Sequence, residues 1–481
     1  MKLIDLIENL SVVKIIGDIN LEIENVQIDS NAVSKNSLFI CINGGDYDGH
    51  GFVKQTEKYG AVAVVTEKII DCGITQIVVE DTRLAMSKIA SAFYGNVCEK
   101  MKLIGVVGTN GKTTTAHLIG KILNSAGIKC GVIGTIGTFY GEYFVEHDLT
   151  TPDPLNLHKI LYDMFQKGYK TAVMEVSAHA LYYKKVGGLN FEVGVFTNFS
   201  RDHLDFFKDM ENYKKAKRSF FDENQCKYMV VNVDDVLGRE IANENPKAVT
   251  YGVENPADVF AIDINESSYG LNFVVNLFDC VYNVNSSLVG KFNVYNALGA
   301  STTSALVGVS PENVARGLQG IKGPSGRMEL VYDGDFKVYV DYAHTPGGLK
   351  NLLSSIKKSC NGRLICVFGC GGNRDVGKRY EMGQISGEYS DFTVITSDNP
   401  RYEEPMDIIS QVEKGVLSTN KNYVIVQERS SAIRYAIEYA QAEDVIVVAG
   451  KGCENYQEVL GIKRPYNDKD TIKEIIGSIR G

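Results

Sequence analysis

From residue 102 onward the chain keeps returning to one pattern: a short apolar run rich in β-branched residues, then a loop, then a stretch of helical period. The runs are KLIGVV, TAVMEV, VGVFTN, YMVVNV, FKVYVDY, LICVFG, FTVITS and DVIVVAG. Apolar runs without polar alternation are buried on both faces, and strands separated by helices must pair in parallel through crossovers. The chain is therefore predicted to be α/β, with parallel sheets covered by helices on both faces. In open sheets of that kind ligands bind beyond the carboxyl ends of the strands. That edge is where the unusual residues of this chain fall.

Ordinary turns use Gly, Asn, Asp and Pro. Here the turns carry more. GTNGKT follows KLIGVV, Glu175 ends TAVMEV, and NFSRDHLD follows VGVFT. Later come DYAHTP, GCGGNRD, SDNPR and GKGCEN. Together these loops place Lys112, Glu175, His203, His344, Arg374, Arg401 and Glu454 at strand ends. Three domains are predicted. Residues 1–98 contain short strands (NSLFICIN, AVAVVTE) and a helix over TRLAMSKIASAFYG that Asp81 or Thr82 can cap. Residues 99–325 form a central parallel-sheet domain of phosphate-loop type, GPSGRME reads as a linker, and residues 326–481 form a Rossmann-like domain.

Composition excludes several function classes. The 481 residues can hold several full cores, and the net charge of −9 offers nucleic acid no electrostatic footprint. Ten cysteines are scattered without a CxxC pair or a Cys/His metal spacing, which suits a reducing cytoplasm. Asp5 and Glu8 interrupt the first apolar run, against a signal peptide, and no run reaches transmembrane length.

The loop Gly108, Thr109, Asn110, Gly111, Lys112, Thr113, Thr114 joins a strand to a helix whose apolar positions keep helical period up to Gly127. Backbone N–H groups at such a helix start cradle phosphate, a lysine meets the β/γ charge, and a threonine hydroxyl can hold Mg²⁺. Val106 stands where the strict motif has its first glycine, so this is a shortened GxxGK[ST] loop. Glu175 at a strand end is a costly burial unless paired or on a metal. His203 lies beyond a strand of the same predicted sheet and is a second candidate ligand. Mg²⁺ prefers oxygen, so a site using histidine is the weaker of two. Lys217, among several lysines of one helix, reads on bare sequence as part of a solvated basic face; beside Mg²⁺ it makes sense only if modified to carry negative charge.

The motifs GTNGKTTT, TTPDPL, MEVSAHAL, TNFSRDHLDFF, YKKAKRSFF, GKFNVYNALGA, GRME, VDYAHTP, GCGGNRDVGKR, SDNPR and GKGCENYQ, in this order, resemble the Mur ligase family over essentially the whole chain. The resemblance implies an amide ligase. ATP would phosphorylate the terminal carboxylate of UDP-N-acetylmuramoyl-L-alanyl-D-glutamate, and an amine would displace phosphate from the acyl phosphate. Lys112, Lys217, His203 and Arg327 would be catalytic. Thr113 and Glu175 would serve one Mg²⁺, His203 and a carbamylated Lys217 another. Asn296, Arg327, Asp341 and His344 would join the phosphate loop on ATP. Ser30, the NGGDYDGH turn, Thr150, Thr151, Ser177, Tyr183 and Lys185 would bind the muramoyl nucleotide. Leu149, Tyr183 and Lys185 depart from the family's frequent Asn, Gln and Arg. The expected working form is a cytoplasmic monomer acting on small molecules, without membrane insertion.

Within the family, an Arg in the SDNPR motif marks enzymes that add meso-diaminopimelate. The chemistry agrees. Diaminopimelate is lysine with a further carboxylate at its far end, and the guanidinium fork grips a carboxylate bidentately. Arg374, Asp398, Asn399, Pro400, Arg401, Gly450 and Glu454 would form that pocket, with Glu454 on the distal ammonium and Cys453 where the family usually has His. The alternative for Arg401 is a loop arginine paired with Glu403 or Glu404.

Overall fold

The computed structural model describes residues 1–44, 47–222, 225–267, 270–419 and 422–480. Gly45 and Asp46 of the NGGDYDGH turn lie outside the described residues. The chain folds as two compact units, Met1–Gly105 with Lys129–Glu192 and Ser219–Lys227, and Val106–Ile128 with Val193–Arg218 and Tyr228–Gly481.

In the first unit a sheet runs in the order Val12–Ile16, Thr75–Val79, Ala61–Thr66, Ser37–Ile40, Asn25–Gln27. Its last four strands are parallel and the first is antiparallel. Side chains alternate across it. Leu38, Ile40, Ala63, Val65 and Ile77 pack with Ala85, Met86 and Ile89 of the helix Thr82–Phe93, while Phe39, Val64 and Val53 pack on the opposite face. Asp81 caps that helix by accepting from Arg83 N (2.9 Å) and Leu84 N (3.0 Å). The same unit holds the parallel pair Cys130–Gly134 and Thr171–Glu175, continued by the antiparallel strands Gly137–Tyr140 and Tyr143–Val145.

In the second unit the last sheet has the order Glu329–Asp333, Lys337–Asp341, Val445–Ala449, Leu364–Phe368, Phe392–Ile395, Tyr423–Ile425. All neighbours are parallel except the first pair. The register matters for function. Asp341 and Phe368 both pair with Ala449, and Phe368 pairs with Ile395, so four strands end level and deliver YAHTP, GCGGNRD, TSDNPR and GKGCEN to one edge. Cys366, Phe368, Ile395, Val447 and Ala449 pack under the helices Pro346–Ser359, Gly377–Tyr389 and Pro405–Leu417. Val338, Val340, Ile365, Val367, Ile446 and Val448 pack on the other side with Arg429–Tyr439 and Asp468–Arg480. This is the predicted two-sided burial.

Val259–Ser267, Gly270–Leu277 and Cys280–Ser286 depart from the parallel pattern and form an antiparallel meander. Its second turn explains why. Leu277 pairs with Cys280 across Phe278 and Asp279, both left-handed (φ +49° and +66°), the two-residue turn whose twist matches antiparallel strands. No helix among the described residues is long and apolar enough to cross a membrane.

Candidate active site

After Lys102–Val107 the chain passes Gly108 and enters the helix Lys112–Ser125 through Gly111, whose φ of +84° favours glycine. A Cβ at Gly111 would also run into Asn296 Oδ1. That oxygen accepts from Thr115 Oγ1 (3.3 Å), and Asn296 Nδ2 donates to Asn293 Oδ1 (2.8 Å). The loop is pinned by the residues that follow Phe196. Thr109 N donates to Asn198 O (2.8 Å) and Asn110 N to Asn198 Oδ1 (3.0 Å). Thr197 Oγ1 and Asn198 Nδ2 donate to Asn110 O at 2.7 and 2.9 Å. A loop so held is pre-organised, as a phosphate cradle must be. It opens on a cavity of about 570 Å³ whose lining includes Asn110, Gly111, Thr113, Thr114, Asn296, Arg327 and Asp341 together with the largely apolar side chains of Leu288, Phe292, Tyr295 and Leu352.

Two lysine side chains meet at one carbonyl. Lys112 Nζ donates to Gly108 O and Thr109 O, both at 2.9 Å, and Lys217 Nζ donates to Gly108 O at 2.6 Å. Lys217 is 1% exposed, so it does not belong to a solvated face, correcting the reading from bare sequence. Burial, then the charge of Lys112, holds its pKa well below the ordinary lysine range.

Arg327, just past the linker, donates from Nη2 to Thr113 Oγ1 (3.0 Å) and stacks over Tyr342, 4.4 Å from the ring centroid. Its Nε is buried without a hydrogen bond to any of the described residues. Asp341 accepts from Met328 N and Ala343 N, both at 2.7 Å, which fixes the chain on either side of the strand end. Burial pushes its carboxyl up, against the pull of Arg327.

His203 and His344 converge on Asp202, a residue that sequence reasoning passed over inside SRDHLD. Asp202 Oδ2 lies 3.4 Å from His203 Nε2 and 3.8 Å from His344 Nε2. Burial acts to raise this carboxyl, but the two histidines and Lys378 outweigh it and hold it at about 2. Residues on either side of Asp202 bind the last sheet's edge, with Arg201 on Asp375 (3.1 Å) and Asp205 on Arg374 (3.7 Å).

At that edge Arg401 does not pair with Glu403 or Glu404. Its Nε lies 3.2 Å from Glu458 Oε2, and its Nη1 donates to Gly372 O (2.8 Å). Glu403 is taken by the fully buried Arg379 through two 2.9 Å bonds. Asn399 Nδ2 donates to Glu454 Oε2 (3.0 Å), so two of the predicted pocket residues touch directly. Asp398 lies 3.8 Å from Arg429, whose guanidinium is clamped by Asp468 through two 2.8 Å bonds. Gly450, with φ +114°, leaves no room for a Cβ, which would sit 2.8 Å from Asp398 Oδ2. Pro400 is buried.

In the first unit Glu175 is 1% exposed and accepts from Thr135 N (2.8 Å) and Thr135 Oγ1 (3.2 Å). Thr150 Oγ1 lies 3.0 Å from Thr135 Oγ1, and Thr151 Oγ1 donates to Glu175 O (2.9 Å) and accepts from Ser177 N (3.0 Å). Thr150, Thr151, Glu175 and Ser177 are thus one cluster. Lys185 pairs with Asp153 at 2.7 Å, and Tyr183 stacks under Arg83 at 4.3 Å. Ser30 begins a short 3-10 turn capped by Asp29.

Family models match this chain in three stretches: residues 22–94 (Mur ligase family, catalytic domain), 106–304 (Mur ligase middle domain) and 326–452 (Mur ligase, glutamate ligase domain). A UDP-N-acetylmuramoyl-L-alanyl-D-glutamate–2,6-diaminopimelate ligase of Caldanaerobacter subterraneus subsp. tengcongensis is 42% identical over 480 residues, 99% of each chain. The chain belongs to the Mur ligase family. A Mur ligase of the same description from Clostridium tetani is 42% identical over 485 residues, again 99% of each chain. Among solved structures, a ligase of that description superposes with a TM-score of 0.71 at 30% identity, covering 100% of this chain and 99% of the other. The folylpolyglutamate synthase of Mycobacterium tuberculosis, at 15% identity, TM-score 0.63 and coverage of 76% of this chain and 92% of its own, shares the fold.

Proposed function

We infer that the chain is an ATP-dependent ligase that joins meso-diaminopimelate to UDP-N-acetylmuramoyl-L-alanyl-D-glutamate in the synthesis of peptidoglycan precursors. Likeness to ligases of that description over 99% of both chains carries the reading. A carboxylate does not react with an amine in water. Transfer of the γ-phosphoryl group makes it an acyl phosphate, the amine nitrogen attacks the acyl carbon, and phosphate leaves from the tetrahedral intermediate.

Each group in the structure then has work to do. The phosphate loop binds the β- and γ-phosphates with its N–H groups, and Lys112 at its mouth spreads the transferring charge. Arg327, already on Thr113, reaches the same phosphates from beyond the linker. Asn296, Asp341 and His344 hold the walls of the nucleotide site, while Thr150, Thr151, Ser177, Tyr183, Lys185 and Ser30 take the muramoyl nucleotide. The donor types suit Mg²⁺: Thr113 of the second unit and buried Glu175 of the first each offer an oxygen of the kind this ion takes, and His203 and a carbamylated Lys217 of the second unit would hold an ion. Bound there, the ion spreads charge on the phosphoryl group. A lowered lysine pKa favours the neutral amine, the form that attacks CO₂ to give a carbamate and a proton, and this direction fits Lys217 to the modification. Arg374, Arg401 and the Asp398, Asn399, Pro400, Gly450 and Glu454 cluster select the amino acid. The proposed setting is a cytoplasmic monomer.

The test is ATP turnover by the purified protein with Mg²⁺, omitting each substrate in turn. Turnover that requires both the nucleotide dipeptide and diaminopimelate fits the ligase. Turnover with neither would make it an ATPase.

A further inference from the structure

Lys451 follows Gly450 at the end of Val445–Ala449 and is 0% exposed. A buried ammonium is costly unless its protons find acceptors. Lys451 Nζ has three: Asn399 Oδ1 at 2.8 Å, Tyr456 O at 2.9 Å and Glu454 Oε2 at 3.1 Å, with Asp398 Oδ1 at 3.9 Å. These bonds orient the groups they meet. Asn399 Oδ1 takes Lys451 and Glu458 N (2.9 Å), so its Nδ2 is turned to Glu454 Oε2. Both donors to the Glu454 carboxylate therefore fall on one oxygen. Its other oxygen, Oε1, accepts no hydrogen bond from the described residues, and the side chain is 21% exposed. The result is a carboxylate anchored by one oxygen and offering the other.

We propose that Lys451 is a positioning residue for amino-acid selection: it sets Asn399 and Glu454 so that Glu454 Oε1 receives the distal ammonium of a diamino acid, and it touches no substrate itself. This rests on the ligase reading above. Charge supports the geometry. Burial raises the pKa of Glu454 and the nearby Asp398 adds to it, while Lys451 lowers it; Tyr342 and Tyr456 also face the group. Lys451 thus favours the anion that an ammonium ligand needs. Arg429 shares the task by balancing Asp398.

The experiment compares wild type, Lys451→Met, Glu454→Gln and the double variant. Initial rates are measured against diaminopimelate and against ATP, with thermal melting as the fold control. Lys451→Met is expected to raise KM for diaminopimelate roughly thirtyfold or more, as loss of one partner of a buried charge pair does, and to leave KM for ATP unchanged. In the Glu454→Gln background the same change adds little, because Lys451 acts through Glu454. Multiplying effects in the double variant, an unchanged KM for diaminopimelate, or equal losses for both substrates would overturn the proposal. Lys451→Gln repeats the test if the methionine variant does not fold. Failure of both to fold makes Lys451 a stability residue and also overturns it. Wild type without diaminopimelate-dependent turnover would instead sink the ligase reading.

Discussion

Replacing Arg401 by alanine separates a selector of diaminopimelate from a structural arginine. The protein itself loses one partly buried ion pair, to Glu458, and one hydrogen bond, to Gly372 O. Such losses cost about 1–2 kcal/mol. The φ of +52° adds nothing, because alanine meets the same backbone as arginine. The ligand loses more. A carboxylate gripped by an arginine whose side chain is only 19% exposed is largely desolvated, and removing its partner costs about 2–5 kcal/mol, roughly thirtyfold to several-thousandfold. The assay is the initial rate against diaminopimelate at saturating ATP and nucleotide dipeptide, with KM for ATP measured in parallel. KM for diaminopimelate should rise by that factor while KM for ATP stays put and the melting temperature falls by a few degrees. An equal rise in both KM values, or a large melting loss with no change in amino-acid preference, would refute the reasoning.

Three further outcomes are expected. Arg327→Ala should lower kcat by about a hundred- to a thousandfold, the scale for one lost charge-stabilising donor, with diaminopimelate KM little changed; an effect on that KM alone would place Arg327 elsewhere. Lys217→Ala should abolish the carbamate signal that ¹³CO₂ gives in the NMR spectrum of the wild-type protein, and a wild type without that signal would remove the modification from the account. Glu403→Gln should destabilise the fold at pH 7 by about 3 kcal/mol, because it strips the buried Arg379 of its counter-charge. The hydrogen bonds of Arg379, against a smaller effect of burial, lower the Glu403 pKa in the folded protein, so this stability is present above the unfolded glutamate pKa and disappears as pH falls through the folded value. Variant and wild type should therefore converge in melting temperature in the acid range below about pH 4, and a gap that persists there would contradict the ion-pair account.

Strand ends were legible because period and composition there agree. KLIGVV, LICVFG, FTVITS and DVIVVAG are dominated by apolar and β-branched residues, and each stops at a loop that folding alone would not write. The groups that hold those loops were not legible. Lys451 sits between two glycines and reads as a turn residue until the register brings Asn399 and Glu454 to it. Arg429 and Asp468 start separate helices, and only the sheet's strand order makes them partners. Asp202 lies beside a histidine already singled out, and its local signal, an acid before His203, was available. Lys217 misled because helical spacing shows which residues share a face but not whether that face meets water. The meander after Val259 was missed because a left-handed turn at Phe278 and Asp279 has no glycine or asparagine to announce it.

Product identification by mass spectrometry tests the central claim most directly. The purified protein would be incubated with ATP, Mg²⁺ and UDP-N-acetylmuramoyl-L-alanyl-D-glutamate, with meso-diaminopimelate or L-lysine in parallel reactions. The account predicts the nucleotide tripeptide with diaminopimelate and little or none with lysine. A tripeptide formed mainly with lysine would contradict the role given to Arg401, and ATP hydrolysis without either product would contradict the ligase itself.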